Sequence, residues 1–161
     1  MSKAFSCRTR TSAETRELGR RLRRFLKSGD VLLLSGDLGA GKSELMRGIA
    51  QGLGIAGPIP SPTFTLLNIY TEGSLPLKHF DWYRVQDAEE LRASGLDEMV
   101  GGEGLTAIEW HERAPELLPP DCLEIVLTTL SENVREIQFL PHGQFRELDY
   151  CLLAQSKGEG L

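Results

Sequence analysis

Eight consecutive residues carry most of the chemistry legible in this chain: Gly36, Asp37, Leu38, Gly39, Ala40, Gly41, Lys42 and Ser43. They fit G-x-x-x-x-G-K-[ST], in which glycines let backbone amides curve around phosphate oxygens without a Cβ in the way. Lys42 can reach the β and γ phosphates of a nucleotide, and the Ser43 hydroxyl can ligate magnesium. A helix beginning at Lys42 would aim its unpaired amides and positive dipole end at the same point. A chance match at the four fixed positions is expected in about half a per cent of chains this long. A glycine turn without a ligand is therefore the weaker reading.

Binding phosphates is not hydrolysis, which also needs an acid to hold the metal and a group to position water. Two acids stand at the ends of apolar runs: Glu109 after "LTAI" and Asp81 after "LPLKHF". Each alone could be a carboxylate in a turn; beside a phosphate loop, each becomes a candidate for the magnesium region. Ser61-Pro62-Thr63-Phe64 stands where a loop could close over a γ phosphate, with hydroxyls as ligands and Pro62 limiting backbone freedom.

These residues need elements to position them. Val31–Leu34 is a continuous aliphatic run, suited to a strand buried on both faces, and Lys42–Leu53 resumes helical spacing through Leu45, Ile49 and Leu53. The glycine loop thus joins a strand to a helix. Upstream, "AFSCRTR" reads as a strand. Thr11 and Glu14 form a capping box, each satisfying the other's backbone amide, for a helix that continues through Leu18, Leu22, Phe25 and Leu26. Downstream, "TFTLLNIY" and "LPLKHFDW" read as one hairpin, and "CLEIVLTTL" and "REIQFLP" as another. "DAEELRAS" and "GQFRELDYCLLAQ" read as helices, with "LDEMVGG" a helical turn or loop between. No internal repeat appears, and residues 155–161 read as a frayed tail.

Composition sets the outer limits. The chain has 161 residues, 40% hydrophobic and 25% charged, and no apolar run approaches the roughly 18 residues of a membrane helix. The first residues lack a secretory leader, so a cytoplasmic location is expected. Net charge is -5, yet residues 1–28 hold nine Lys or Arg against two Glu. The cluster Arg20, Arg21, Arg23, Arg24 and Lys27 could meet phosphates or an acidic partner, or simply form the solvated face of a helix. Cys7, Cys122 and Cys151 have no disulfide or zinc spacing and read as buried or free thiols. His79, His111 and His142 have no metal-ligand spacing, and His79, in an apolar strand, suits a hydrogen-bonded structural role.

"GDLGAGKS", "SPTFTL", "HFDWYR" and "IEW", in this order across about 75 residues, together resemble the TsaE family, formerly YjeE, small bacterial ATPases of tRNA threonylcarbamoyladenosine synthesis. The resemblance implies ATP and magnesium as cofactors, weak hydrolysis alone, and action with TsaB and TsaD as partners rather than as the transferase. By that resemblance Lys42 and the loop amides hold phosphates, Ser43 and Glu109 hold magnesium, Thr63 belongs to a nucleotide-sensing loop, and Asp81 supports hydrolysis. Trp110 and Arg84 belong to the same signatures, either functionally or as packing and pairing groups. Ser12 and Arg135 are weaker candidates for the outer side of the nucleotide. One departure matters: family members commonly read GK-T-T where this chain has Ser43 and Glu44. The Glu44 carboxylate either repels an α phosphate or turns outward and favours the helix dipole.

The expected fold is α/β: a P-loop NTPase-like three-layer arrangement around a mixed central sheet, one domain over residues 1–161. Two other functions fit the phosphate loop. A small-metabolite kinase would need an acceptor pocket and an arginine-bearing lid, for which no segment stands out. A nucleotide-switched binding module would bind ATP with only incidental turnover.

Overall fold

The computed structural model describes residues 4–62 and 64–154. Seven strands among them form one sheet: β1 (Phe5–Thr9), β2 (Val31–Ser35), β3 (Leu67–Tyr70), β4 (Leu77–Asp81), β5 (Leu105–Glu109), β6 (Cys122–Thr129) and β7 (Arg135–His142). Their order is β1-β7-β6-β2-β5-β4-β3. The middle of the sheet is parallel, β2 lying between β5 and β6 with β4 beyond β5, whereas β1, β7 and β3 pair antiparallel at the flanks. The sheet is therefore mixed: the two hairpins legible in the sequence supply the β3–β4 and β6–β7 antiparallel pairs, and β1 adds a third by returning alongside β7. No helix among the described residues is long and apolar enough to cross a membrane.

Alternation along β2 sorts the core into two layers. Leu32 and Leu34 face α1 (Ser12–Leu22) and α2 (Lys42–Leu53), where Leu18, Leu22, Leu45 and Ile49 are buried. Val31 and Leu33 face the opposite side with Phe80, Trp82, Ile108 and α3 (Ala88–Ser94), which buries Leu91. Both faces of β2 are covered, which is why its sequence runs aliphatic without a polar break. Helices on both sides of a sheet make the three layers expected from sequence.

The helix signals act much as read. Thr11 caps α1, its hydroxyl accepting from the Glu14 amide at 3.0 Å, but the Glu14 carboxylate accepts from the Arg10 amide, not that of Thr11. The α-helix stops at Leu22 and a 3-10 turn, Arg23–Phe25, completes the segment. In α2 the first and last residues coincide with the predicted ones, the end marked by Gly54 in the left-handed region.

The last helix is a correction. Helical spacing over "GQFRELDYCLLAQ" is realised only in α4, Tyr150–Ala154, with Gln155 and the predicted tail 155–161 outside the described residues. Tertiary docking overrides propensity here. The Arg146 guanidinium reaches the buried Asp30 carboxylate through Nη1 (2.8 Å) and Nη2 (2.6 Å) and also bonds the Phe25 carbonyl. Phe145 and Leu148 are meanwhile buried.

Candidate functional site

The glycine loop leaves the C-terminal end of β2 and enters α2, so it stands at the carboxyl edge of the parallel strands, where open α/β sheets place ligands. Gly36, Gly39 and Gly41 adopt φ of 147°, 82° and 103°, backbone that residues with a Cβ rarely adopt. At Gly36 a Cβ would also lie 2.5 Å from the Leu127 carbonyl oxygen, so the loop turns close against β6. The Ala40 amide donates to Asp37 at 3.0 Å, and the buried Ala40 pins the loop's base while Leu38, 97% exposed, forms its tip.

A cavity of about 770 Å³ opens over this loop. That is the size of a small-molecule or nucleotide pocket. One wall carries Asp37, Leu38, Gly39, Gly41, Lys42 and Ser43; Ser61, Asp81, Tyr83, Glu109 and Trp110 line it too, as do Ser12 and Arg135. Gly36 and Ala40 support the loop from behind. The structure thus brings the loop, both strand-end acids and the two outer candidates to one cavity. Thr63 lies outside the described residues.

Register explains why the acids arrive together. Leu34 of β2 faces Glu109 of β5, and Glu109 in turn faces Asp81 of β4, so the three strand ends are level. Glu109 is nine-tenths buried, its Oε1 4.0 Å from Lys42 Nζ, while Oε2 pairs with His79 Nε2 at 2.7 Å. Lys42 Nζ also donates to the Gly36 carbonyl at 2.7 Å, folding the ammonium back over the loop. An ammonium and a carboxylate desolvated this close are costly unless paired, so their burial is a specific investment at this edge. A buried carboxylate and a hydroxyl from Ser43 are hard oxygen donors, which suit magnesium, an ion that takes one or two protein ligands and keeps phosphate and water for the rest.

Asp81 is held from two sides: Oδ1 accepts the Tyr83 amide at 2.9 Å and Oδ2 accepts the Ser61 hydroxyl at 3.1 Å. It therefore ties the Ser61-Pro62 segment to the end of β4. Trp110, directly after Glu109, has φ 59°, a left-handed conformation unusual for a large side chain. That twist sets its ring 4.9 Å from the Tyr83 ring and 5.2 Å from Lys42 Nζ. Arg84 points elsewhere, stacking on the exposed Phe64 ring at 4.4 Å. Both signature residues pack, and Trp110 does so on the cavity wall.

At the outer side, Arg135 fixes the β6–β7 turn through Nη1 to the carbonyls of Ser131, Glu132 and Val134, and reaches the loop through Nη2 to Gly39 O at 3.2 Å. Glu44 does not stand as a bare charge: Arg16 grips Oε2 through Nε (3.0 Å) and Nη2 (2.9 Å), and Arg47 pairs with Oε1. Of the two readings of Glu44, repulsion is the one this pairing opposes. Thr11, Thr15, Tyr83, Glu132 and Asn133 also line the cavity. Of these the sequence marked Thr11 only as a helix cap and Tyr83 only as part of "HFDWYR".

The remaining titratable groups lie apart. His111 and His142 both approach Glu124, His111 also meeting the Ser35 hydroxyl at 2.8 Å. The basic cluster is dispersed: Arg20 pairs with Glu17, Arg23 bonds Leu26 O and Ser74 Oγ, and Arg24 and Lys27 are exposed. Cys122 is buried, Cys7 half-buried and Cys151 exposed, all free; burial pushes the first two thiols up to about 11.

A three-layer α/β fold whose central parallel strand passes through a glycine loop ending Gly-Lys-Ser into a helix places the chain among the P-loop-like α/β proteins. The model of the family described as "Threonylcarbamoyl adenosine biosynthesis protein TsaE" matches residues 9–137, and the chain belongs to this family. It is 42% identical over 147 residues to the tRNA threonylcarbamoyladenosine biosynthesis protein TsaE of Bacillus subtilis, covering 91% of each chain. To the protein of the same name from Nostoc it is 45% identical over 130 residues, covering 79% of this chain and 80% of the other. The fold agrees with the crystal structure of Bacillus subtilis YdiB, with a TM-score of 0.76 at 39% identity, over 89% of this chain and 88% of that one.

Proposed function

We propose that this protein binds Mg-ATP in the cavity over the glycine loop and hydrolyses it slowly alone, faster when TsaB and TsaD engage it. Its place is the cytoplasm, where it serves threonylcarbamoyladenosine synthesis without being the transferase, and tRNA contact is indirect. The observation that carries the reading is the buried Lys42–Glu109 pair, 4.0 Å apart at the mouth of the loop. Folding alone gains little from such a pair, whereas a polyphosphate with a divalent cation uses both charges.

Each residue then has a task. Loop amides from Gly36 to Ser43 surround the phosphates, and the Lys42 ammonium leaves the Gly36 carbonyl to meet the β and γ oxygens. Ser43 and Glu109 would hold the magnesium ion, which when bound offsets charge on the β and γ phosphates. Asp81 holds Ser61 at the cavity wall and supports hydrolysis from there, with Thr63 taken as a nucleotide-sensing residue. Ser12 and Arg135 face the outer part of the nucleotide, and the Arg16–Glu44 pair keeps a carboxylate from repelling it.

Calorimetry with Mg-ATP, followed by phosphate release with and without TsaB and TsaD, tests this. Lys42→Ala is expected to abolish retention of nucleotide, and Glu109→Ala to cut turnover about 100-fold while changing nucleotide affinity far less. Glu109→Ala hydrolysing at the wild-type rate would remove the magnesium assignment. Binding without partner-stimulated turnover would leave a nucleotide switch, and phosphorylation of an added metabolite a kinase.

A further inference from the structure

The side chain behind Glu109 has no task in the mechanism above. His79 lies on β4, two residues before Asp81 and on the same face, and only 2% of its surface is exposed. In the β4–β5 register Asp81 faces Glu109 and His79 faces Ala107, so the imidazole sits one step deeper in the sheet, beneath the carboxylate. Its Nε2 meets Glu109 Oε2 at 2.7 Å, whereas its Nδ1 is buried with no partner among the described residues.

That asymmetry assigns the tautomer. A carboxylate only accepts, so the shared proton resides on Nε2 and the imidazole is the donor. Glu109 therefore has one oxygen occupied from within the protein. Its other oxygen, Oε1, faces Lys42 and the cavity.

We propose that His79 is a positioning residue: by donating its Nε2–H to Glu109 Oε2 it locks the carboxylate so that Oε1 alone is presented to the divalent cation of a bound nucleotide. The inference rests on the proposed magnesium role of Glu109 and assigns its inner support. Without the imidazole, Glu109 can turn about its last torsion and present either oxygen to the cavity. The loop's hold on phosphate is untouched. The effect thus falls on the cation and not on the nucleotide as such. Hydrogen-bonded partners behind a metal ligand typically change metal affinity by about 10- to 100-fold.

The experiment compares the wild type, His79→Leu and His79→Gln. The glutamine amide nitrogen can occupy the Nε2 position and donate; leucine fills the volume and donates nothing. Calorimetry measures ADP affinity in EDTA and across a magnesium titration. The expected result is unchanged affinity in EDTA for all three, a magnesium constant weakened about 10- to 100-fold in His79→Leu, and recovery in His79→Gln. Long-range ¹⁵N NMR of the metal-free wild type should show the His79 proton on Nε2. Should His79→Leu fail to fold, His79→Asn replaces it, since its shorter amide stops near the Nδ1 position and leaves Glu109 without a donor. A magnesium constant within twofold of wild type in the non-donating variant overturns the proposal, as does an Nδ1–H tautomer or a glutamine variant no better than leucine. A wild type that retains no nucleotide at all would instead overturn the proposed function, whatever the tautomer.

Discussion

Helices α1 and α2 approach so closely that glycine is the only residue their crossing admits, and Gly48→Ala tests whether that contact also aims the phosphate loop. A Cβ built on Gly48 would lie 1.9 Å from the Arg16 carbonyl oxygen, 2.8 Å from the Arg16 carbonyl carbon and 2.9 Å from the Arg20 nitrogen. All three are backbone atoms, so no side chain can swing aside. Restoring ordinary van der Waals distance requires the helices to part by about 1.5 Å, and a gap of that size forfeits much of the dispersion between Leu18, Leu22, Leu45 and Ile49. Overpacking of this kind costs about 1 to 3 kcal/mol or more, against a gain of about 1 kcal/mol from alanine's helix propensity. The net expectation is a loss of about 2 kcal/mol, read as a urea midpoint lowered by about 1 M. Because α2 begins at Lys42, the displacement is passed to the loop, and nucleotide affinity should fall with stability. Gly52→Ala is the internal comparison: its added Cβ meets Arg23 Cβ at 2.7 Å and Arg20 O at 3.0 Å, a shallower overlap than the 1.9 Å at Gly48, so a smaller loss is expected. A Gly48→Ala protein as stable as wild type, binding nucleotide equally well, would refute the reasoning.

Two other expectations follow from charge and burial. Arg16→Ala removes one of the two guanidiniums holding Glu44, leaving only Arg47 to offset the carboxylate at the cavity wall; the pair is partly exposed, so about 1 kcal/mol, or roughly fivefold weaker ATP binding by calorimetry, is expected. At pH 7.5 iodoacetamide with mass-spectrometric mapping should label the exposed Cys151 well ahead of Cys7 and Cys122, whose thiols burial pushes up to about 11. The same shift has a sign in stability: the folded state holds these protons longer than the unfolded chain, so the two thiols' contribution to stability is fully present below about pH 9 and falls as pH rises from there towards 11. Melting temperatures of wild type and Cys122→Ala across pH 8 to 10.5 should converge as the alkaline slope of the wild type takes effect.

What was legible in the sequence was whatever depends on near neighbours. The bounds of α2 followed from one glycine-rich stop at each end and a regular apolar spacing between them. Asp81 and Glu109 could be marked because each ends an apolar run, yet their meeting depends on β4 and β5 pairing in one register across 28 residues of chain. The same register hides the His79–Glu109 bond from any local reading: an apolar strand implies that His79 is buried and hydrogen-bonded, as it is, but not which residue is its partner. Arg135 reaching Gly39 across 96 residues, and Arg16 reaching Glu44 across 28, are equally matters of tertiary placement. The shortened α4 failed for the complementary reason: Arg146 has a better partner in the buried Asp30 than a helix could offer it.

The local rules that the chain breaks concentrate around one cavity. The two non-glycine residues with positive φ among those described, Leu66 and Trp110, adjoin the Ser61-Pro62 segment and Glu109 respectively. A left-handed conformation costs a bulky residue about 1 to 3 kcal/mol, and burying Lys42 with Glu109 costs more unless something else uses their charge. Leu38, Phe64 and Tyr83 leave apolar surface exposed at or near the rim of the same opening, although this chain has room for apolar groups in two core layers. Folding supplies no reason for strain, desolvated charge and exposed apolar side chains to gather at the carboxyl ends of β2, β4 and β5. A ligand that fills the loop, and a protein partner that covers the rim, would offset all three together, so loss of the partner should leave the cavity's chemistry intact and slow only its turnover.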